Sequence, residues 1–279
     1  MVMKALRLLK RIFLTPVDFV VVNIFRRYPV FYFDSISNVG DLINPYLVNK
    51  LSGKKAHQVR SRSIRHVVGL GSMFHMANKN SVIWGTGIIS DDVSFRKMTN
   101  CHSVNSVRGH LTKNILIENG VIGSNHLPLG DPGLLMPNFY NPIIRKQYKI
   151  GIIPHYVDID SDFFKGLVNS VVIDVQQDPE SFIDELLKCE YVVSSSLHGL
   201  ILADSYGVPN KWVSFSDRIT GGTFKFHDYY STTDNSDEDC FVCLEKQVFK
   251  RLIHNIDKYA SIKEFAFDKD ELIKSFPVF

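Results

Sequence analysis

From Asp34 onward, short apolar runs alternate with glycine-bearing turns and helical stretches, and this rhythm is the strongest constraint on the fold. HVVGLG at His66, SVIWGTG at Ser81, HSVNSVRG at His102, KIGIIP at Lys149, SVVIDV at Ser170, YVVSSS at Tyr191 and KWVSF at Lys211 each read as a strand, and a further strand is expected to lead into LGDPGLLMP. Apolar strands separated by helices are the pattern of α/β layering around a largely parallel sheet, in which ligands collect at strand ends. The intervening segments supply the helices. NVGDLINPYLVNKLSGKK makes a tight turn at Gly40 and then a helix that stops at Gly53, and Leu111, Ile115 and Leu116 line one side of another that closes at Gly120. Further helices are predicted near Asp162 to Val168, over PESFIDELLKCE, and over HGLILADSYG directly after its strand.

At 279 residues the chain has room for one large or two modest domains. The proline and asparagine cluster MPNFYNP, Met136 to Pro142, places a linker between them. The expected division is an N-terminal α/β domain over 1–138, a C-terminal α/β domain over 139–242, and closing helices over 243–279 that pack back on the first domain. A hydrophobic fraction of 45% with 22% charged residues excludes general disorder. Lys plus Arg number 32 against 29 Asp plus Glu, so a strongly basic nucleic-acid binder is excluded and any anion site must be local. Of the four cysteines only Cys240 and Cys243 are close, with no second pair at zinc-site spacing, so reduced thiols and a cytoplasmic setting are expected.

The first 33 residues carry Lys4, Arg7, Lys10, Arg11, Arg26 and Arg27 in an apolar background. Lys10, Arg11, Pro16 and Asp18 break the run before it reaches the roughly 20 residues of a spanning helix. Leu6, Leu9, Ile12 and Phe13 share a helical face opposite basic residues, which suits a packed terminal helix or docking on an anionic membrane.

The sharpest chemical constellation is SSSLHGLILADSYGVP, Ser194 to Pro209. A strand there ends in hydroxyls and runs into a helix whose first N–H groups, from Ser195, Ser196 and Leu197 onward, face the strand-end crevice. Such a terminus attracts phosphate or carboxylate. His198, with an unperturbed pKa of about 6.5, is the leading acid/base candidate, with a structural histidine as the alternative. GxSxG is absent, which argues against a serine hydrolase, and neither GLGS nor GTGI completes the dinucleotide pattern GxGxxG. Arg108, at a strand end before Gly109, can clamp an anion bidentately, or be a surface arginine. Arg218, Lys225 and His227 lie in SDRITGGTFKFHDYY, a segment read as a loop able to close over a ligand on Gly221 and Gly222. Asp41, Asn44, Asp131 and His155 fall in turns at strand ends, where ligand contacts gather.

Taken together, NVGDLINPYL, GLGSMF, WGTGII, VRGHLT, LGDPGLL, IGIIPHYVD, SSSLHGLILADSYGVPNKWV and GGTFKFHDYY, from Asn38 to Tyr230, resemble the polysaccharide pyruvyl transferases. The resemblance implies two Rossmann-like domains in a GT-B-type arrangement with the site in the interdomain cleft. It implies transfer of a pyruvyl group from phosphoenolpyruvate to two hydroxyls of a sugar, as a ketal, with no cofactor or metal. The acceptor would be a surface glycan or its lipid-linked precursor, at the cytoplasmic face of the cell membrane. His198 matches the family's essential histidine and Arg108 a phosphoenolpyruvate-contacting arginine. Many relatives carry arginine two residues before that histidine, where this chain has Ser196, so Arg218 or Lys225 would have to substitute. Two other functions fit the same residues: a GT-B glycosyltransferase using a nucleotide sugar, and a non-catalytic protein that binds glycan or phosphoenolpyruvate.

Overall fold

The computed structural model describes residues 14–92, 100–124, 126–218 and 221–279. The amphipathic face at Leu6, Leu9, Ile12 and Phe13 lies outside them. The chain forms two compact units, one from residues 1–33, 43–132 and 268–279, the other from 34–42 and 133–267. Each is built on a five-stranded sheet whose neighbouring strands all pair in parallel, so the α/β class read from the strand–helix alternation is the observed one.

In the first unit the strands are β1 (Tyr28–Phe31), β2 (Ala56–Gln58), β3 (His66–Val68), β4 (Ser81–Trp84) and β5 (Ser103–Ser106), in the order β2-β1-β3-β4-β5. β3 and β4 are buried at every residue, as central parallel strands covered on both faces must be. A helix, α1, covers residues 14–23. It is followed by α2 (Val39–Ser52), whose first turn, up to Leu42, belongs to the second unit, and by α3 (His110–Glu118). Gly40 therefore sits inside the first turn of α2 rather than in a preceding turn, while Gly53, at φ 65°, closes the helix as expected. The C-terminal residues complete this unit. Phe276 packs edge-on to Trp84 at 4.9 Å and stacks on Tyr28 at 5.3 Å, Trp84 Nε1 donates to Leu272 O at 3.0 Å, and the Tyr28 hydroxyl donates to Pro277 O.

In the second unit β6 (Tyr148–Ile153), β7 (Ser170–Val172), β8 (Cys189–Ser194), β9 (Asn210–Ser214) and β10 (Phe241–Val242) order as β10-β9-β8-β6-β7. Its helices are α4 (Pro179–Leu187), α5 (Leu197–Ser205), α6 (Phe224–Tyr230) and α7 (Lys246–His254); the short α8 (Lys269–Lys274) belongs to the first unit. Asp178 caps α4 by accepting from Ser181 N–H at 3.0 Å, with Pro179 at the first helical position. Phe249, Leu252 and Ile256 of the closing segment pack with Ile150, Val193 and Val213 of the sheet.

Three local expectations are corrected. In place of a strand leading into LGDPGLLMP, Leu129 makes an isolated parallel bridge with Val107. The helix predicted near Asp162 to Val168 is a single 3-10 turn, Asp162–Phe164, because Gly166 takes φ 72° and turns the chain away. SDRITGGTFKFHDYY is only in part a loop. Its second half is α6, whose Phe226, Tyr229 and Tyr230 are core residues, Phe226 stacking on Trp212 at 4.4 Å. Among the described residues no helix is long and apolar enough to cross a membrane.

Candidate functional site

The strand order of the second unit reverses between β6 and β8, and at such a switch point the carboxyl ends of adjacent parallel strands open a crevice. His155 follows β6, and Ser195, Ser196, Leu197 and His198 follow β8. Serine hydroxyls bind the two strand ends together. Ser194 Oγ accepts from Ser196 N–H at 3.0 Å and lies 3.0 Å from Ile153 O, while Ser195 Oγ accepts from His155 N–H at 2.8 Å. Ser196 is the N-cap residue of α5, and its side chain makes no capping hydrogen bond. Leu197 packs into the core with Leu200, Ile201 and Trp212, which leaves its backbone as the polar part on offer.

Gly199 lets α5 start this close to the sheet. A Cβ there would fall 2.5 Å from Ser194 Oγ and 2.8 Å from Ile153 Cγ2. His198, one residue earlier, is half-buried, and its ring lies flush against the first turn of α2. A Cβ on Gly40 would stand 2.0 Å from His198 Nδ1 and 2.3 Å from its Cε1. That turn is fixed in its own right, Val39 N–H donating to Val175 O at 2.7 Å and Gly40 N–H to Asn38 Oδ1 at 3.0 Å. Asp41 is the acidic residue of the same turn. Two helix N-termini therefore meet at one imidazole, and the positive ends of both helix dipoles lie beside it.

The electrostatics around His155 place Lys225 in this neighbourhood. The His155 pKa is lowered to about 4, first by burial and then by the Lys225 charge, against an opposing pull from Asp158. His155 is thus neutral near pH 7, and the local positive charge rests on Lys225. Arg218 is committed elsewhere: its guanidinium pairs at 2.5 Å with the buried Asp158, which also accepts from Ser216 Oγ at 3.1 Å. Beyond β9, a cavity of about 270 Å³ is lined by Trp212, Ser214, Ser216, Asp217, Thr223 and Cys240.

Arg108, Asn44 and Asp131 belong to the first unit. Arg108 is fully buried and is no surface arginine. Its guanidinium donates to Ser72 Oγ at 2.6 Å, Ile88 O at 2.8 Å and Gly71 O at 3.4 Å, so it holds together the two glycine-rich turns that follow β3 and β4. Those glycines make room for side chains of the protein itself. A Cβ on Gly87 would meet Arg108 Cζ at 2.4 Å, and one on Gly69 would meet Asn44 Oδ1 at 2.2 Å. Asp131 is fully buried beside the turn at Gly130.

Sequence reasoning flagged Gly40 only as a turn residue and passed over Asp158 altogether. The signal for Gly40 was a glycine in a helix's first turn where a cap or acid is the norm. Asp158 carries no local signal, because its role depends on Arg218 and Ser216 arriving from another segment.

Parallel α/β units with a histidine-bearing helix terminus at a switch point are the arrangement of a ligand-binding α/β protein. Comparison with known proteins makes this specific. Residues 2–217 match the model of the polysaccharide pyruvyl transferase family, and the chain belongs to that family. It is 33% identical over 250 residues to the uncharacterized protein L143 of Acanthamoeba polyphaga mimivirus, covering 85% of this chain and 82% of that one. It is 29% identical over 138 residues to the succinoglycan biosynthesis protein ExoV of Rhizobium meliloti (strain 1021), covering 46% of this chain and 40% of that protein. Family membership supports a transferase that acts in polysaccharide biosynthesis.

Proposed function

We propose that the protein transfers the pyruvyl group of phosphoenolpyruvate to two hydroxyls of a sugar in a surface polysaccharide or its lipid-linked precursor, at the cytoplasmic face of the cell membrane. The observation that carries the proposal is the His198 imidazole, held between two helix N-termini with neutral His155 and cationic Lys225 in the same unit. In this reading His198 protonates the methylene carbon of the enol. A cation develops at the carbon bearing carboxylate and phosphate, one sugar hydroxyl attacks it, phosphate leaves, and a second hydroxyl closes the ketal. The two acceptor hydroxyls give up two protons. One replaces the proton spent on the methyl carbon and the other leaves with phosphate, so the histidine ends as it began.

The donor's negative charge is met by Lys225 and by the N-termini of α2 and α5, which takes the place of the arginine many relatives carry at Ser196. Arg218 does not fill that role, since it pairs with Asp158. The cavity beside β9, with hydroxyls and a carboxylate over an aromatic floor, suits a sugar acceptor. A GT-B-type arrangement in which Arg108, Asn44 and Asp131 also serve the substrate belongs to the same proposal. The chemistry calls on acid/base groups and fixed positive charge and needs no metal or cofactor.

The test is thermal unfolding in the presence of phosphoenolpyruvate and, separately, of nucleotide sugars, because a ligand of the native state raises its stability by mass action. Phosphoenolpyruvate should raise the midpoint, and phosphate should appear once an acceptor is supplied. His198→Ala should lose turnover and keep the midpoint of the unliganded protein. Stabilisation by a nucleotide sugar alone would overturn the proposal in favour of glycosyl transfer, and binding without phosphate release from any acceptor would favour a non-catalytic glycan-assembly protein.

A further inference from the structure

An amphipathic helix on a water-soluble unit turns its apolar stripe inward. Helix α1 does the reverse. Its charged residue, Asp18, is 1% exposed and faces the protein, where it accepts from Ser61 N–H at 2.9 Å, Ser61 Oγ at 2.8 Å and Arg60 N–H at 3.2 Å and pairs with His57 Nε2 at 2.9 Å. Val17, Phe19 and Val20 are 54%, 55% and 38% exposed, and Ile24 and Phe25, just past the helix, are 67% and 66% exposed. At 3.6 residues per turn, Val17, Phe19, Val20 and Ile24 fall within an arc of about 160° centred opposite Asp18. The outward face of this helix is therefore mostly apolar, interrupted by the exposed Asn23, whose Nδ2 donates to Phe19 O at 2.9 Å, and the Asp18 hydrogen bonds fix its rotation.

The charged residues that directly follow this helix, Arg26 and Arg27, are basic. Residues 1–33 contain six basic residues, Lys4, Arg7, Lys10, Arg11, Arg26 and Arg27, and a single acid, Asp18. With Asp18 turned inward, the charges that the described part of this segment carries toward solvent are those of Arg26 and Arg27. A contiguous apolar patch of this kind marks an interaction surface. Bulky aliphatic and phenylalanine side chains rimmed by arginine match the boundary between the acyl chains and the head groups of an anionic bilayer.

We propose that α1 and the arginine pair after it form a docking surface for an anionic lipid membrane, with Phe19, Ile24 and Phe25 entering the acyl boundary and Arg26 and Arg27 on the head groups. The rotation set by Asp18 presents these side chains before any lipid arrives, so binding requires no refolding of the helix. This proposal is independent of which group the protein transfers.

The experiment is co-sedimentation of the full chain with vesicles of phosphatidylcholine alone and of phosphatidylcholine with phosphatidylglycerol at roughly 7:3, a composition that sets up a negative surface potential. Binding should require the anionic lipid and weaken as salt is raised. Arg26→Asn combined with Arg27→Gln should weaken it roughly 30-fold, since each basic residue near such a surface contributes a factor of about five. Asn suits position 26 because Arg26 has φ 51°, a conformation asparagine tolerates. Phe19→Ser, Ile24→Ser and Phe25→Ser together should weaken binding at least tenfold, with thermal unfolding unchanged because these side chains face outward. Equal binding to both kinds of vesicle, no binding to either, or variants that bind like the parent would each overturn the proposal. So would a concentration-dependent dimer that the triple substitution dissolves, which would show that the face is covered by a second copy of the chain.

Discussion

Replacing Gly40 with Ala adds one carbon at the place where the structure has least room for it. The new Cβ would stand 2.0 Å from His198 Nδ1, 2.3 Å from Cε1 and 2.4 Å from Cγ, whereas ordinary contact begins near 3.4 Å. The ring would have to retreat by about 1.4 Å, the difference between 3.4 and 2.0 Å. The first turn of α2 cannot take up the shift cheaply, because Val39 N–H and Gly40 N–H are both hydrogen-bonded. Stability should hardly report the change: overpacking costs about 1–3 kcal/mol, and alanine returns about 0.5–1 kcal/mol of helix propensity. A displacement of about 1 Å in a reacting group can cost a factor on the order of 100 in rate. Gly40→Ala should therefore lower phosphate release from phosphoenolpyruvate roughly 100-fold through kcat, and shift the His198 ring resonances in an NMR spectrum, with a midpoint of unfolding within a few degrees of the parent. Full turnover with unshifted His198 resonances would refute the reasoning. So would a collapse of stability without a specific change at His198.

Arg108→Lys keeps the charge but loses the fork that reaches Ser72, Ile88 and Gly71, so denaturant unfolding should show a loss of about 2–4 kcal/mol. Unchanged stability would show that the guanidinium is not a strut between the glycine turns. Asp204 accepts from Asn210 Nδ2 at 2.6 Å, Tyr229 Oη at 2.8 Å and Lys263 N–H at 3.1 Å. Asp204→Ala should cost about 3–5 kcal/mol and Tyr229→Phe about 1 kcal/mol, and equal costs would disprove that ordering. Acid should weaken the fold through His66 and His155, whose pKa values are both lowered by burial from 6.5 to about 4. As pH falls from about 6.5 to about 4 the unfolded chain takes up protons that the folded chain refuses, so unfolding free energy declines across that window. Asp204, raised by burial to about 6, opposes the decline between about pH 6 and 3.8. His66→Gln should flatten the profile of unfolding midpoint against pH, and a profile like the parent's would remove His66 from the account.

Much of the fold was legible because it is written locally. Seven strands and the helices over 110–118, 179–187 and 197–205 follow from apolar runs, helical spacing, a proline at the start of one helix and a glycine after another. Where legibility failed, a local signal met a tertiary demand. FKFHDYY looked like loop because its aromatic and charged residues show no single polar face, yet Trp212 supplies the surface on which it folds as helix. GLGS and GTGI looked like turns built for a ligand, and their glycines accommodate Asn44 and Arg108.

The same division runs through the candidate site and the N-terminal helix. His198 at a helix start after a buried strand is a property of consecutive residues, and hydrophobic alternation and helix termination act over a few residues at a time. That His198 rests on Gly40, that Arg108 is a buried strut, and that Asp18 turns the apolar face of α1 outward depend on partners distant in sequence. Close packing and the cost of an unpaired buried polar group choose those partners only once the sheets have formed. The sequence by itself determined seven of the strands in the two parallel sheets and the histidine at a helix terminus; tertiary structure alone decided what each of those side chains touches.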